Sequence, residues 1–184
     1  GEQPALVFVS TETGVEKSYS FTELHAEVQR TAASLLELGV GKGDRVLIYM
    51  PMIPEAAFAM LACARIGAVH CVVFGGFASG SLATRIEDAE PKVIVSADAG
   101  ARGGKVLAYK PLLDEAIALA SVKPQACIVL QRPQHGCDLT PGRDHDWAAL
   151  RRAALDAGKT APCVPVNATD PLYILYTSGT TGIP

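Results

Sequence analysis

Apolar positions in this chain fall into two alternating patterns. Short, almost unbroken apolar runs stand at 45–50, 68–74, 92–96, 126–130 and 172–176. Such runs predict strands covered on both faces, as in a parallel sheet. Another apolar run, 6–9, predicts a strand whose hairpin partner returns at 17–19 across a turn at Gly14.

Between the runs the spacing turns helical. Phe21, Leu24, Val28, Ala32 and Leu35 share one face. Ser20 and Glu23 form a capping box ahead of them, and Gly39 suits the left-handed stop. Residues 55–66 are apolar nearly all round, with Pro54 in the first turn and Gly67 at the end, so this helix should be buried. Ser79 or Ser81 caps a helix running through Ile86, and 110–120 is helical with Pro111 in its first turn. Asp144 or Asp146 caps a helix at 147–155 whose Trp147, Leu150 and Ala154 share a face. Residues 132–146 read as surface loop and 158–170 as a connector. Strand, helix and strand over 45–74 make a βαβ unit with a right-handed crossover. The whole alternation predicts an α/β fold, a mostly parallel sheet with helices on both faces.

Composition narrows the function classes. The chain of 184 residues has room for one α/β domain, and 49% hydrophobic with 19% charged residues is a globular balance. A net charge of −3 offers no basic surface for nucleic acid. No apolar run approaches the roughly 18 residues of a membrane span, and no basic leader precedes an apolar run at the start. The five cysteines are odd in number and contain no Cys-x-x-Cys, which predicts reduced thiols and a cytoplasmic protein. The four histidines show no ligand spacing, so no metal site is expected from them.

The strongest chemical signal is the last stretch. A strand at 172–176 runs into Thr177, Ser178, Gly179, Thr180, Thr181 and Gly182: four hydroxyls and two glycines. Consecutive free N–H groups in such a loop make an anion-binding concavity, and the hydroxyls add donors. The expected guest is a polyphosphate; the alternative is a simple Ser/Thr/Gly turn. It is not a Walker loop, because two residues rather than four separate Gly179 and Gly182, and Ile-Pro follows. Two weaker signals precede it. Arg102 and Lys105 flank Gly103 and Gly104, a pliable backbone with a planar fork and a point charge that suit phosphate, or else a solvated basic loop. Gly75 and Gly76 make a tight turn that either admits a planar ring or serves packing.

Tyr176-Thr-Ser-Gly-Thr-Thr-Gly-Ile-Pro184 resembles the signature phosphate loop of the adenylate-forming superfamily. Arg65-Ile-Gly-Ala-Val-His70, Val73-Phe-Gly-Gly-Phe77 and Ala97-Asp-Ala-Gly-Ala-Arg-Gly-Gly-Lys-Val106 resemble its short-chain acyl-CoA synthetase branch. Lys105 departs from the Arg common in acetyl-CoA synthetases, and Lys105, Thr180 and Tyr173 look more like the propionyl-CoA type. The resemblance implies a piece of the large N-terminal AMP-binding domain, ending inside the signature and lacking the C-terminal lid domain. It implies ATP, Mg²⁺ and coenzyme A as substrates or ions, with a short-chain carboxylate, propionate first, activated through acyl-AMP. Thr177 to Gly182 would hold ATP phosphates. Arg102, Gly103, Gly104 and Lys105 would bind the CoA ribose phosphate, and Gly75 and Gly76 would border its adenine. The catalytic lysine, acyl pocket and Mg²⁺ ligand are expected beyond Pro184, so the 184 residues alone should be inactive and should self-associate through uncovered apolar surface. Acetate ligation, or a non-enzymatic nucleotide- or CoA-binding module, are the alternatives.

Overall fold

A computed structural model describes residues 2–133 and 135–177. In chain order the elements are β1 (Pro4–Val9), β2 (Glu16–Ser20), α1 (Phe21–Glu37), β3 (Arg45–Met50), α2 (Pro54–Ile66), β4 (Val69–Phe74), α3 (Ser79–Ala89) and β5 (Val93–Ala97). They continue with β6 (Ala99–Arg102), β7 (Lys105–Ala108), α4 (Lys110–Leu119), β8 (Ala126–Leu130), β9 (Asp144–Asp146), α5 (Trp147–Asp156) and β10 (Tyr173–Ile174). Six strands form one sheet in the order β10-β4-β3-β5-β8-β9, and every neighbouring pair is parallel. β1–β2 and β6–β7 are separate antiparallel hairpins.

The apolar run at β3 is buried on both faces because side chains alternate across a strand. Val46, Ile48 and Met50 point into a core with α1, α2 and Trp147 of α5, while Leu47 and Tyr49 point into a core with α3 and α4. Val46, Leu47, Ile48 and Tyr49 are all fully buried. The capping box closes as expected: the Ser20 N–H donates to Glu23 Oε2 at 2.8 Å, and the Glu23 N–H donates to Ser20 Oγ at 3.3 Å. Gly39 and Gly67 end their helices at φ of +81° and +72°. Asp146 caps α5, its Oδ1 accepting the Ala149 N–H at 2.7 Å.

Four expectations need correction. Neither Ser79 nor Ser81 caps α3: Ala78 holds the N-cap position without a side-chain bond, and Ser79 Oγ donates instead to Glu115 Oε2 at 2.5 Å, tying α3 to α4. The stretch 98–105 is not a loop but the start of the β6–β7 hairpin. Gly103 and Gly104, at φ of +56° and +72°, form the two-residue turn whose twist matches paired strands. The loop 132–146 ends in β9, whose Asp144 side chain is buried and ion-paired with Lys110 at 3.0 Å and Arg143 at 2.6 Å. Burial works against that carboxylate, but bonds from Arg143, the Thr140 N–H and Lys110 outweigh it and bring its pKa down to about 2. The strand expected at 172–176 is reduced to β10, two residues on the sheet's edge. Leu172 and Leu175 stay more than half exposed there, since only β4 flanks β10 among the described residues.

Candidate functional site

Because the strands are parallel, the segments that follow them emerge along one edge of the sheet. The Gly75–Gly76 turn leaves β4, Asp98 and the β6–β7 hairpin leave β5, and Thr177 follows β10. The chain leaves β3 toward the α2 face but leaves β4 and β5 toward the face of α3 and α4. Such a reversal is where open α/β sheets hold ligands, outside the carboxyl ends of their strands. Strand order separates β10 from β5 by three strand spacings, roughly 14 Å. The structure therefore brings the three candidate segments to one edge without superimposing them.

Gly75 and Gly100 are glycines for one shared reason. A Cβ on either would lie 2.5 Å from the Tyr109 hydroxyl oxygen, and one on Gly75 would also meet the Met50 carbonyl at 2.9 Å. The Tyr109 phenol thus wedges between the turn after β4 and the hairpin after β5. Its ring leans on Tyr49 with centroids 5.0 Å apart, and the Tyr49 hydroxyl donates to the Phe77 carbonyl at 3.0 Å. Burial first, and Tyr109 second, push the Tyr49 phenol up to about 12. A Cβ on Gly76 would overlap the Phe74 ring.

Beneath this wedge lies Asp98, fully buried. Its carbonyl accepts the N–H groups of Tyr109 and Lys110 at 2.7 and 3.2 Å, and its Oδ2 accepts the Arg132 N–H at 3.1 Å. Asp98 closes the base of the hairpin on the end of β8. Neither Asp98 nor Tyr109 stood out in the sequence, because each acts through partners distant along the chain.

At the hairpin's tip, the N–H groups of Gly103 and Gly104 donate to the two carboxylate oxygens of Glu12, each at 3.1 Å. Two adjacent N–H groups gripping two oxygens of one anion is the arrangement a phosphate would also use. Lys105 opens β7, exposed, opposite Arg102 in the hairpin register. Of the expected polyphosphate loop, Thr177 is described and exposed; Ser178, Gly179, Thr180, Thr181 and Gly182 lie outside the described residues. Just before it, the Tyr176 hydroxyl donates to Asp88 Oδ2 at 2.5 Å.

On the other side of β10 and β4, an apolar groove of about 560 Å³ is lined by Phe8, Met50, Met52, Val72, Tyr173 and Leu175, among others. His70 stacks on Tyr173 with centroids 5.7 Å apart, and burial pulls its pKa down. Among the described residues no group of three or more His, Cys, Asp or Glu converges as a metal site. No helix of the described residues is long and apolar enough to cross a membrane.

A parallel sheet with glycine-rich segments along its carboxyl edge is the kind of frame on which α/β proteins bind nucleotides. The chain belongs to the family of AMP-binding enzymes, whose model matches residues 1–184. It is 55% identical over 183 residues to a propionate–CoA ligase of Salmonella typhimurium, a match covering all of this chain and 29% of that one. It is 44% identical over 185 residues to the human mitochondrial acyl-CoA synthetase short-chain family member 3, covering 26% of it. An acetoacetyl-CoA synthetase from Streptomyces lividans superimposes with a TM-score of 0.84 at 34% identity, over all of this chain and 27% of that one. The chain thus spans under a third of the relatives it matches.

Proposed function

We propose that the complete protein is an AMP-forming acid–thiol ligase acting on a short-chain carboxylate, propionate first. The observation that carries this reading is the match of every residue, 1–184, to AMP-binding enzymes, with relatives named propionate–CoA ligase at 52–55% identity. Oxide is a very poor leaving group, so a thiol cannot displace it from a carboxylate directly. The carboxylate first attacks the α-phosphorus of ATP, expelling pyrophosphate and forming acyl-AMP. The CoA thiol then attacks the acyl carbon, AMP leaves, and the thiol proton passes to solvent or a base. Positioned donors hold the charge on the phosphates in the first step.

In this reading Thr177, Ser178, Gly179, Thr180, Thr181 and Gly182 hold the β- and γ-phosphates. Mg²⁺ supplies counter-charge to ATP. Arg102, Gly103, Gly104 and Lys105 take the ribose phosphate of CoA, in the N–H pair that Glu12 fills, so Glu12 must swing out as the phosphate enters. Gly75 and Gly76 border the adenine. CoA carries its thiol on a long arm, so its phosphate end can rest on the hairpin while the thiol reaches an acyl group held beside the β10 loop. A cytoplasmic location suits the five free thiols, three of them buried.

The test is pyrophosphate release by the complete protein with ATP and Mg²⁺ over acetate, propionate, butyrate and longer acids, with and without CoA. Propionate-dependent release, with propionyl-CoA formed when CoA is added, is expected. Release with acetate alone keeps the reaction and corrects the acid. No release with any acid refutes the ligase reading and leaves a nucleotide- or CoA-binding module.

A further inference from the structure

The ladder between β10 and β4 ends at Ile174, opposite Cys71. Three residues later, at Thr177, the expected polyphosphate loop begins, beyond the last ladder pair. The side chain of Tyr176, immediately before that loop, packs against the core shared by α3 and α4 and is held to α3 by polar contacts as well. Its hydroxyl donates to Asp88 Oδ2 at 2.5 Å, and the guanidinium of Arg85 lies 4.3 Å from its ring centroid. Arg85 and Asp88 stand three apart on α3, so both reach one side chain from one helix face. Arg85 is itself buried and also lies 5.8 Å over the Phe77 ring, which anchors it independently of Tyr176. Burial, and then the bond to Asp88, hold the Tyr176 phenol protonated well above its usual range, so the O–H is a permanent donor near neutral pH.

We propose that Arg85 and Asp88 are positioning residues for ATP: through Tyr176 they fix the root of the phosphate loop at the edge of the sheet. The proposal rests on the ligase reading for its substrate, and on the contacts of Tyr176 for its geometry. A loop whose root is loose spends less of its time in the phosphate-binding arrangement, and the apparent affinity falls by that fraction. Losing one hydrogen bond to a charged, solvent-reachable acceptor changes such a fraction by about tenfold. The acid has no contact with this clamp, so its affinity should not move.

The experiment is acid-dependent ATP–pyrophosphate exchange by the complete protein, as wild type and as Tyr176→Phe, Asp88→Ala and Asp88→Asn. Tyr176→Phe and Asp88→Ala should each raise KM for ATP about tenfold and leave KM for the acid within about twofold. Asp88→Asn keeps a neutral acceptor for the phenol and should restore most of the ATP affinity. Hydrogen exchange over residues 173–177 should run about tenfold faster in Tyr176→Phe, with the helical amides of α3 unchanged. An unchanged KM for ATP in both disrupting variants overturns the proposal. So does a parallel rise in both KM values with a fall in Tm, which marks a purely structural contact. A wild type that exchanges no pyrophosphate refutes the ligase reading alone. Hydrogen exchange then decides the clamp, and equal rates in wild type and Tyr176→Phe would refute it.

Discussion

Gly100→Ala is the substitution that most directly questions the Tyr109 wedge. Gly100 has no left-handed backbone, so alanine meets no conformational penalty there, and at an open site the change would stabilise by roughly 0.4–1 kcal/mol through the unfolded chain. The site is not open. The added methyl would stand 2.5 Å from the Tyr109 hydroxyl oxygen and 2.7 Å from the ring carbon that bears it, and Tyr109 is only 7% exposed and backed by Tyr49. Ring and hairpin must separate by about an ångström, and overpacking of this kind costs about 1–3 kcal/mol. The net expectation is a loss of about 1–2 kcal/mol. Equilibrium urea unfolding, read through the fluorescence of Trp147, the chain's single tryptophan, measures it. Tyr109→Ala is expected to cost about 3 kcal/mol alone and to abolish the Gly100→Ala penalty, a coupling of about 1–2 kcal/mol. Gly75→Ala should keep part of its penalty in that background, because its contact with the Met50 carbonyl at 2.9 Å remains. In the complete protein Gly100→Ala should raise KM for CoA and leave KM for ATP unchanged, since the hairpin and not β10 is displaced. A neutral Gly100→Ala, or one equally costly with and without Tyr109, would refute the wedge.

Further outcomes follow from other contacts. The Asp144 carboxylate, held at about 2 against an ordinary 3.8, adds about 2 kcal/mol of stability above pH ~4. Because its folded pKa is the lower one, that contribution fades as pH falls toward 2, and Asp144→Asn should lose about the same amount at pH 7 and flatten the acid limb in pH-dependent urea titrations. Glu12→Gln should lower KM for CoA by a few-fold, as the N–H pair of Gly103 and Gly104 loses its resident charge; a raised KM would mean that Glu12 organises the turn instead. The 184 residues studied alone should self-associate through the groove around Met52, Val72, Tyr173 and Leu175, and sedimentation showing a monomer at high concentration would contradict this.

Much of the scaffold is legible in one dimension because its determinants are local. β3 is an unbroken apolar run, α1 carries its own capping box, and Gly67 marks the end of α2. The glycines at 103 and 104 were legible as flexible, but the two-residue turn they make depends on strands only four residues long on each side. β9 was invisible because its Asp-His-Asp sequence has no strand character, and a buried carboxylate makes sense there only beside Lys110 and Arg143. At the site, residue types suggested anion binding at 102–105 and 177–182 and a tight turn at Gly75 and Gly76. Their assembly on one edge came from strand order, and the reason for Gly75 and Gly100 came from a tyrosine far from the first in sequence. Glu12 carried no motif; its role appears only when the two hairpins meet.

Helix α3 begins three residues after Gly76 and carries Asp88 in its last turn, so one rod of 11 residues, about 16 Å long, links the turn after β4 to the tyrosine that precedes Thr177. In the proposed ligase, with CoA beside the first and ATP beyond the second, a rod of that kind makes the two affinities partners. Any factor by which bound ATP changes the affinity for CoA through α3 must be returned, unchanged, by CoA to ATP. The order in which the two substrates are added can then change how fast the ternary complex fills, but never how tightly it holds.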